Sequence, residues 1–232
     1  RLLGKADRIV SLCSEATSEL LSAGIPAERL QQISNGVDPA LFTVRAGPRT
    51  AGKKLITFIG RLDGFKGVEH LLEAFRRVIE SGVDASLKLI GNGPAEGNLR
   101  SLAASLKIQD KVSFRGREEN VLKELSETDV FVLPSLAEGM SNVLLEAMSC
   151  GLPVVATGVG GALDMIRHGR NGILVPPGDP EALRDAMVYL LGNESAAISL
   201  GKEARKTVEE RFTLSGAVDC YRRLYGELNA AP

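Results

Sequence analysis

What most constrains the fold of this chain is an alternation, sustained over nearly its whole length, of short apolar runs with longer segments of helical period. Runs of strand length lie at 8–12, 31–34, 55–60, 87–91, 111–115, 130–134, 153–156 and 173–175. Several are unbroken apolar stretches rather than alternating ones, the pattern of parallel strands buried on both faces. Between them the period changes. After Gly67, the residues Val68, Leu71, Leu72, Phe75, Val78 and Ile79 recur at steps of three and four, while Glu69, Glu73, Arg76, Arg77 and Glu80 fall on the other side. That is a helix with one face on a sheet. Leu99, Leu102, Ala103 and Leu106 mark a second, and Val121, Leu122 and Leu125 a third. A fourth begins near Asn142 and ends at Gly151, with Pro153 beyond it, and two or three more fill 181–228. Strand and helix in regular alternation predict a doubly wound, Rossmann-like α/β domain with a parallel sheet and right-handed crossovers.

Composition bounds the partners. A chain of 232 residues with 44% hydrophobic and 25% charged residues can bury one sizeable core. A formal net charge of −1 argues against nucleic acid as the organising partner, so any basic site is local. Aromatic residues make up 4% and Trp is absent, which leaves little for stacking platforms. Cys13, Cys150 and Cys220 are scattered, and neither a disulfide framework nor a zinc site follows from that spacing. They read as free, largely buried thiols of a reducing compartment. No apolar run reaches the roughly 20 residues needed to span a bilayer.

Residues 45–54, RAGPRTAGKK, are polar and carry Gly and Pro, which suggests a boundary. The segment before it, 1–45, holds a strand, a helix and a strand, too little for a core of its own. It is expected to be the tail of, or the connector to, something larger, with the main domain at 46–232. The chain also opens on Arg1 within what reads as folded sequence, so a fragment boundary is expected there.

In open parallel sheets ligands bind beyond the carboxyl ends of the strands, so the residues just past each run carry the functional reading. After 55–60 comes GRLDGFKG, Gly60 to Gly67, with Arg61 and Lys66 beside a helix start. Two cations and free backbone N–H groups suit a phosphate or diphosphate; a surface turn with two solvated cations fits the same residues. It is not a Walker A loop, which needs Gly-Lys followed by Ser or Thr. After 87–91 comes GNGPAEG, in which Gly91, Gly93 and Gly97 are spaced G-x-G-x-x-x-G with a Pro in the turn. That departs from the dinucleotide fingerprint and argues against a nicotinamide cofactor, while leaving room for close backbone approach to a ligand. After 130–134 comes SLAEGMSNVLLEAMSCGLPVVAT, Ser135 to Thr157. Its helix begins near Ser141 or Asn142, and the tip is an anion site because the first N–H groups lack helical partners. Glu138 precedes that tip and Glu146 follows it by one turn. Carboxylates on either side of a bound anion are placed to accept from hydroxyls, the layout of a nucleotide sugar; a loop carboxylate and a dipole-complementing Glu is the plainer alternative.

Taken together, ISNGVDPALF (33–42), GRLDGFKG (60–67), LIGNGP (89–94), VSFRG (112–116), EGMSNVLLEAMSCGLPVVAT (138–157) and NGILVPPGD (171–179) match a known pattern in identity, order and spacing. The chain resembles the C-terminal, nucleotide-sugar-binding domain of glycosyltransferase family 4, group 1 enzymes of the retaining GT-B type. The resemblance covers essentially the whole chain.

That resemblance implies roles. Glu138 is the first Glu of a Glu-(seven residues)-Glu motif and would contact donor sugar hydroxyls; Glu146 is the second and would accept from the ribose. Arg61 and Lys66, with Gly60 before them, would grip the diphosphate. Amides of Met140, Ser141, Asn142 and Val143 would cradle the phosphates, the Gly116–Arg117 turn would meet the base, and Gly91 and Gly93 would line the nucleotide crevice. The family often has Gly or Pro where Ser141 stands, and a Ser can cap the helix instead. Glu138, Arg61 and Lys66 are the implied catalytic set: the cations stabilise the leaving diphosphate, work done elsewhere by Mg²⁺, and Glu138 orients the sugar rather than attacking it. No metal or other cofactor is implied. The donor would be a UDP-, GDP- or ADP-sugar, and the acceptor a sugar, lipid or glycan held by a domain absent here. The full-length protein would be cytoplasmic, with peripheral membrane association. A non-catalytic nucleotide-sugar-binding or scaffold domain is the alternative. His70 reads as solvated on the outer side of its helix, and His168 as a turn residue.

Overall fold

The computed structural model describes residues 6–43 and 53–230. Residues 45–52 of the expected boundary lie outside the described residues. The first described segment forms β1 (Ile9–Ser11), α1 (Ser14–Ser22) and β2 (Leu30–Gln32), with β1 and β2 paired in parallel as a sheet of their own. The main sheet comprises β3 (Lys54–Ile59), β4 (Ala85–Ile90), β5 (Val112–Phe114), β6 (Val130–Leu133), β7 (Val154–Thr157) and β8 (Ile173–Val175). Its order is β5-β4-β3-β6-β7-β8, and every pairing is parallel. Every strand-length run read from the sequence overlaps a strand. Strands β6 and β7 are buried throughout, which is what made their runs continuously apolar, while β2 and the edge strand β5 are only partly buried.

The helices between them are α2 (Val68–Glu80), α3 (Glu96–Ser105), α4 (Val121–Ser126), α5 (Asn142–Ser149) and α6 (Ala162–Met165). Then follow α7 (Pro180–Gly192), α8 (Glu194–Arg211) and α9 (Leu214–Ala230). The apolar stripe of α2 does what its period predicts: Val68, Leu71, Leu72, Phe75 and Val78 are fully buried. Helix α2 packs on α7 and α5 on α8, flanking a core centred on Phe58, Phe131, Leu87 and Leu133. Among the described residues no helix is long and apolar enough to cross a membrane.

Two features of this topology set up the site. The chain reverses its direction of winding between β3 and β6, which are neighbours although far apart in sequence, and in open α/β sheets ligand crevices form beyond the carboxyl ends of the strands at such a point. The first segment is also fastened to the main domain near that end. Val37 forms a parallel bridge with Thr213, donates its N–H to the Phe212 carbonyl (3.0 Å), and accepts from Leu214 N–H (2.9 Å).

Candidate functional site

The loop after β3 carries Gly60, Arg61 and Lys66; the loop after β6 carries Glu138. The two are bonded directly. Leu136 N–H donates to the Phe65 carbonyl at 2.8 Å, and Lys66 Nζ forms an ion pair and hydrogen bond with Glu138 Oε2. Both side chains are largely buried, at 22% and 13% exposed. Lys66 precedes Gly67, whose φ of +59° puts it in the left-handed region at the start of α2. A Cβ there would stand 2.2 Å from the Pro134 carbonyl oxygen, so glycine is what lets the tip of α2 rest on the end of β6 and bring Lys66 to Glu138. Ser135 Oγ, 3.3 Å from the same Glu138 oxygen, completes that group.

Arg61 points more outward, with 70% of its side chain exposed, and pairs with Asp63 at 3.3 Å. Asp63 in turn accepts from Phe65 N–H at 3.1 Å, fixing the turn between the two cations. The two predicted diphosphate cations therefore differ: Lys66 is largely buried against Glu138, while Arg61 is mostly exposed beside the partly buried Asp63.

The glycines after β4 serve the protein's own backbone. Gly91 has φ +130°, and a Cβ on it would lie 1.9 Å from the Gly60 carbonyl oxygen; one on Gly93 would lie 2.0 Å from that of Leu62. Hydrogen bonds stitch the rim together: Gly60 N–H to the Ile90 carbonyl (2.9 Å), Leu62 N–H to Asn92 (3.0 Å) and Ala95 N–H to Leu62 (2.9 Å). Gly91 N–H donates to the Gly116 carbonyl at 2.6 Å, which ties the Gly116–Arg117 turn to the same rim and occupies that carbonyl; Arg117 itself is exposed. Close approach, read from the sequence as room for a ligand, is in the first instance approach between loops.

The tip of α5 is partly buried, with Met140 and Ser141 each 7% exposed. Ser141 caps it as expected, its Oγ accepting from Leu144 N–H at 3.3 Å. Yet no hydrogen-bond acceptor among the described residues meets the amides of Met140, Ser141, Asn142 or Val143. One turn further, Glu146 is half-buried and its carboxylate receives no hydrogen bond among the described residues. Burial pushes its carboxyl above the ordinary range.

Residues of the first segment reach this region, which sequence reasoning did not assign. Asn35 Nδ2 donates to Asn142 Oδ1 at 2.8 Å and Asn35 N–H to Met140 Sδ at 3.2 Å. In the loop after β7, Gly160 N–H donates to Glu15, and in α6 Asp164 accepts from Ser14 N–H at 2.7 Å. Asn35 lies within a matched motif; Glu15 and Asp164 gave no local signal. The histidines stay outside the site. His70, expected in solvent, is half-buried, its Nε2 3.8 Å from where a Gly178 Cβ would stand, because the loop before α7 covers that face of α2. His168 is an exposed turn residue, its Nδ1 3.2 Å from Leu174 N.

With this geometry in hand, comparison with known proteins gives a consistent result. The family model described as glycosyl transferases group 1 matches residues 53–193. The N-acetyl-alpha-D-glucosaminyl L-malate synthase of Bacillus anthracis is 32% identical over 222 residues, 93% of this chain and 57% of that protein. The structure of sucrose-phosphate synthase from Thermosynechococcus elongatus superposes with a TM-score of 0.89 at 27% identity, covering 100% of this chain and 60% of the other. That of Anabaena Alr3699/HepE in complex with UDP and glucose gives a TM-score of 0.88 at 22% identity, over 96% and 64%. The last likeness is one of fold. The chain thus spans about 57% of the length of the first of these relatives.

Proposed function

This chain belongs to the group 1 glycosyl transferases, and on that premise we propose that it is the donor-binding half of a retaining GT-B glycosyltransferase of family 4. It binds a nucleoside-diphosphate sugar in the crevice beyond β3 and β6 and presents the sugar to an acceptor. The acceptor is held by a further domain, for which the greater length of the relatives leaves room; residues 1–45 would be its tail and connector and 46–232 the donor domain. Cytoplasmic location, with peripheral attachment of the full-length protein to a membrane, belongs to the same reading.

The observation that carries the proposal is the contact of Lys66 with Glu138, close in sequence to the unpaired amides at the tip of α5, at the point where the sheet reverses its winding. Cleavage of the bond between sugar and diphosphate builds negative charge on the leaving oxygen and positive charge on the anomeric carbon. Lys66, Arg61 and the amides of 140–143 meet the first, and a prepositioned, partly desolvated cation is effective there. Glu138, holding Lys66 by one oxygen, lies next to the sugar and orients its hydroxyls. Glu146, half-buried and without a donor among the described residues, accepts from the ribose hydroxyls. Gly60, Gly91, Gly93 and the Gly116–Arg117 turn form the rim over the nucleoside. With two cations on the diphosphate, transfer proceeds without a metal ion, and the leaving phosphate helps deprotonate an acceptor that attacks on the face of departure, which gives retention.

Charge-assisted hydrogen bonds contribute about 1.5–3 kcal/mol each, roughly 10- to 100-fold in affinity. Lys66→Ala is expected to weaken nucleoside diphosphate binding by that factor while leaving binding of the bare nucleoside within about twofold, measured by titration calorimetry. An equal loss for both ligands would contradict the assignment of Lys66 to the diphosphate.

A further inference from the structure

Next to Glu138 lies a cavity of about 480 Å³, walled by α1 of the first segment and by the loops after β3, β6 and β7. Its lining has two characters. Phe65 (71% exposed) and Leu136 (37% exposed) present apolar surface at its mouth, with Val159 beside them. The polar groups facing it are carboxylates: Glu138, and Glu15 and Glu19, one helical turn apart on α1. Glu15 is fixed in place, since it accepts from Gly160 N–H, and the adjoining Gly161 N–H is bonded to the Gly139 carbonyl at 2.6 Å. The wall of α1 is therefore coupled to the loop that carries Glu138. Among the described residues that line it there is no cation, and Lys66, beside it, is engaged by Glu138.

Apolar patches suit the C–H faces of a sugar ring, and carboxylates suit its hydroxyls or an amino group. Carboxylates with no opposing cation repel a second anion, and such repulsion is how a site rejects a wrong ligand of the right shape. We infer that Glu15 and Glu19 make this cavity a charge filter on the transferred sugar: it admits an uncharged or amino-bearing sugar unit and turns away one carrying a carboxylate. The inference rests on the donor-site reading above and adds to it the class of sugar and the residues that select it.

The test is titration calorimetry with matched pairs sharing one nucleotide: UDP, UDP-glucose and UDP-glucuronic acid, with GDP, GDP-mannose and GDP-mannuronic acid as the second set. Each is measured on the parent chain and on the double variant Glu15→Gln/Glu19→Gln, in which the introduced amide oxygen at position 15 can still accept from Gly160 N–H. In the set that binds, the uronic acid conjugate is expected to bind at least tenfold more weakly than the neutral sugar. The double variant should narrow that gap at least threefold with affinity for the bare diphosphate unchanged. No gap, or a gap the variant leaves intact while the bare diphosphate still binds, overturns the filter and leaves the donor site standing. A parallel loss of affinity for the bare diphosphate in the variant overturns it too, by assigning both residues to nucleotide binding. If no nucleoside diphosphate binds at all, the donor reading falls and the filter with it.

Discussion

Glu146 carries a carboxylate into a half-buried position on α5 where no described residue donates a hydrogen bond to it. An arrangement of that kind costs stability, and under the proposed function the ribose hydroxyls of the donor would supply the missing hydrogen bonds. The cost has a pH signature. Burial raises the pKa of Glu146 in the folded chain above its value in the unfolded one. Across the interval between those values the folded state binds more protons, so its contribution to stability falls as pH rises through the interval and stays low above it. Glu146→Gln removes this titration. The midpoint of thermal unfolding of the variant, relative to the parent, is expected to move in the variant's favour as pH rises from below the ordinary carboxyl range to neutrality. A difference that is flat with pH would contradict the buried, donor-free carboxylate. The cysteines behave more plainly: Cys13 and Cys150 are buried free thiols, and burial pushes Cys150 up to about 12.

Among the elements, β4 holds a residue that its sequence disguises. Lys88 sits in the middle of an apolar strand, 8% exposed, and bonds Glu124 and Glu127 at 2.8 Å each. Burial alone would lower its pKa, but the hydrogen bonds and charges of Glu124 and Glu127 outweigh that and hold it above the ordinary lysine value. Its contribution is therefore fully present below the ordinary lysine range and is lost as pH climbs through the raised value. Removing one partner of a buried pair typically costs about 3–5 kcal/mol, because the other charge is left unpaired. Lys88→Ala is expected to cost that much in urea unfolding, and Lys88→Met with Glu124→Leu to recover most of it. A cost below about 1 kcal/mol for the single variant would contradict a buried pair.

The contrast between Lys88 and its strand shows what was legible. Strands such as β6 and β7 could be read because burial on both faces writes itself into consecutive residues, and α2 because its period of 3.6 does the same. The four-residue α6 could not, since it is too short to show a period. The partners of Lys88 stand 36 and 39 residues away, and those of Glu15 and Ser14 some 145 and 150. No local pattern encodes such pairings; they appear once the fold brings the segments together.

For the whole molecule, topology decides where chemistry can sit. The order β5-β4-β3-β6-β7-β8 makes neighbours of two loops that are 72 residues apart at Lys66 and Glu138. Motif order made those two loops candidates, and the sheet joins them. The first segment then closes one side of the crevice with α1 and touches the α5 tip through Asn35. The central claim, that this crevice binds a nucleoside diphosphate, is tested most directly by calorimetric titration of the chain with UDP, GDP and ADP. Saturable one-to-one binding of at least one of them is the predicted result. No binding of any, by protein that melts cooperatively and so is folded, would contradict it.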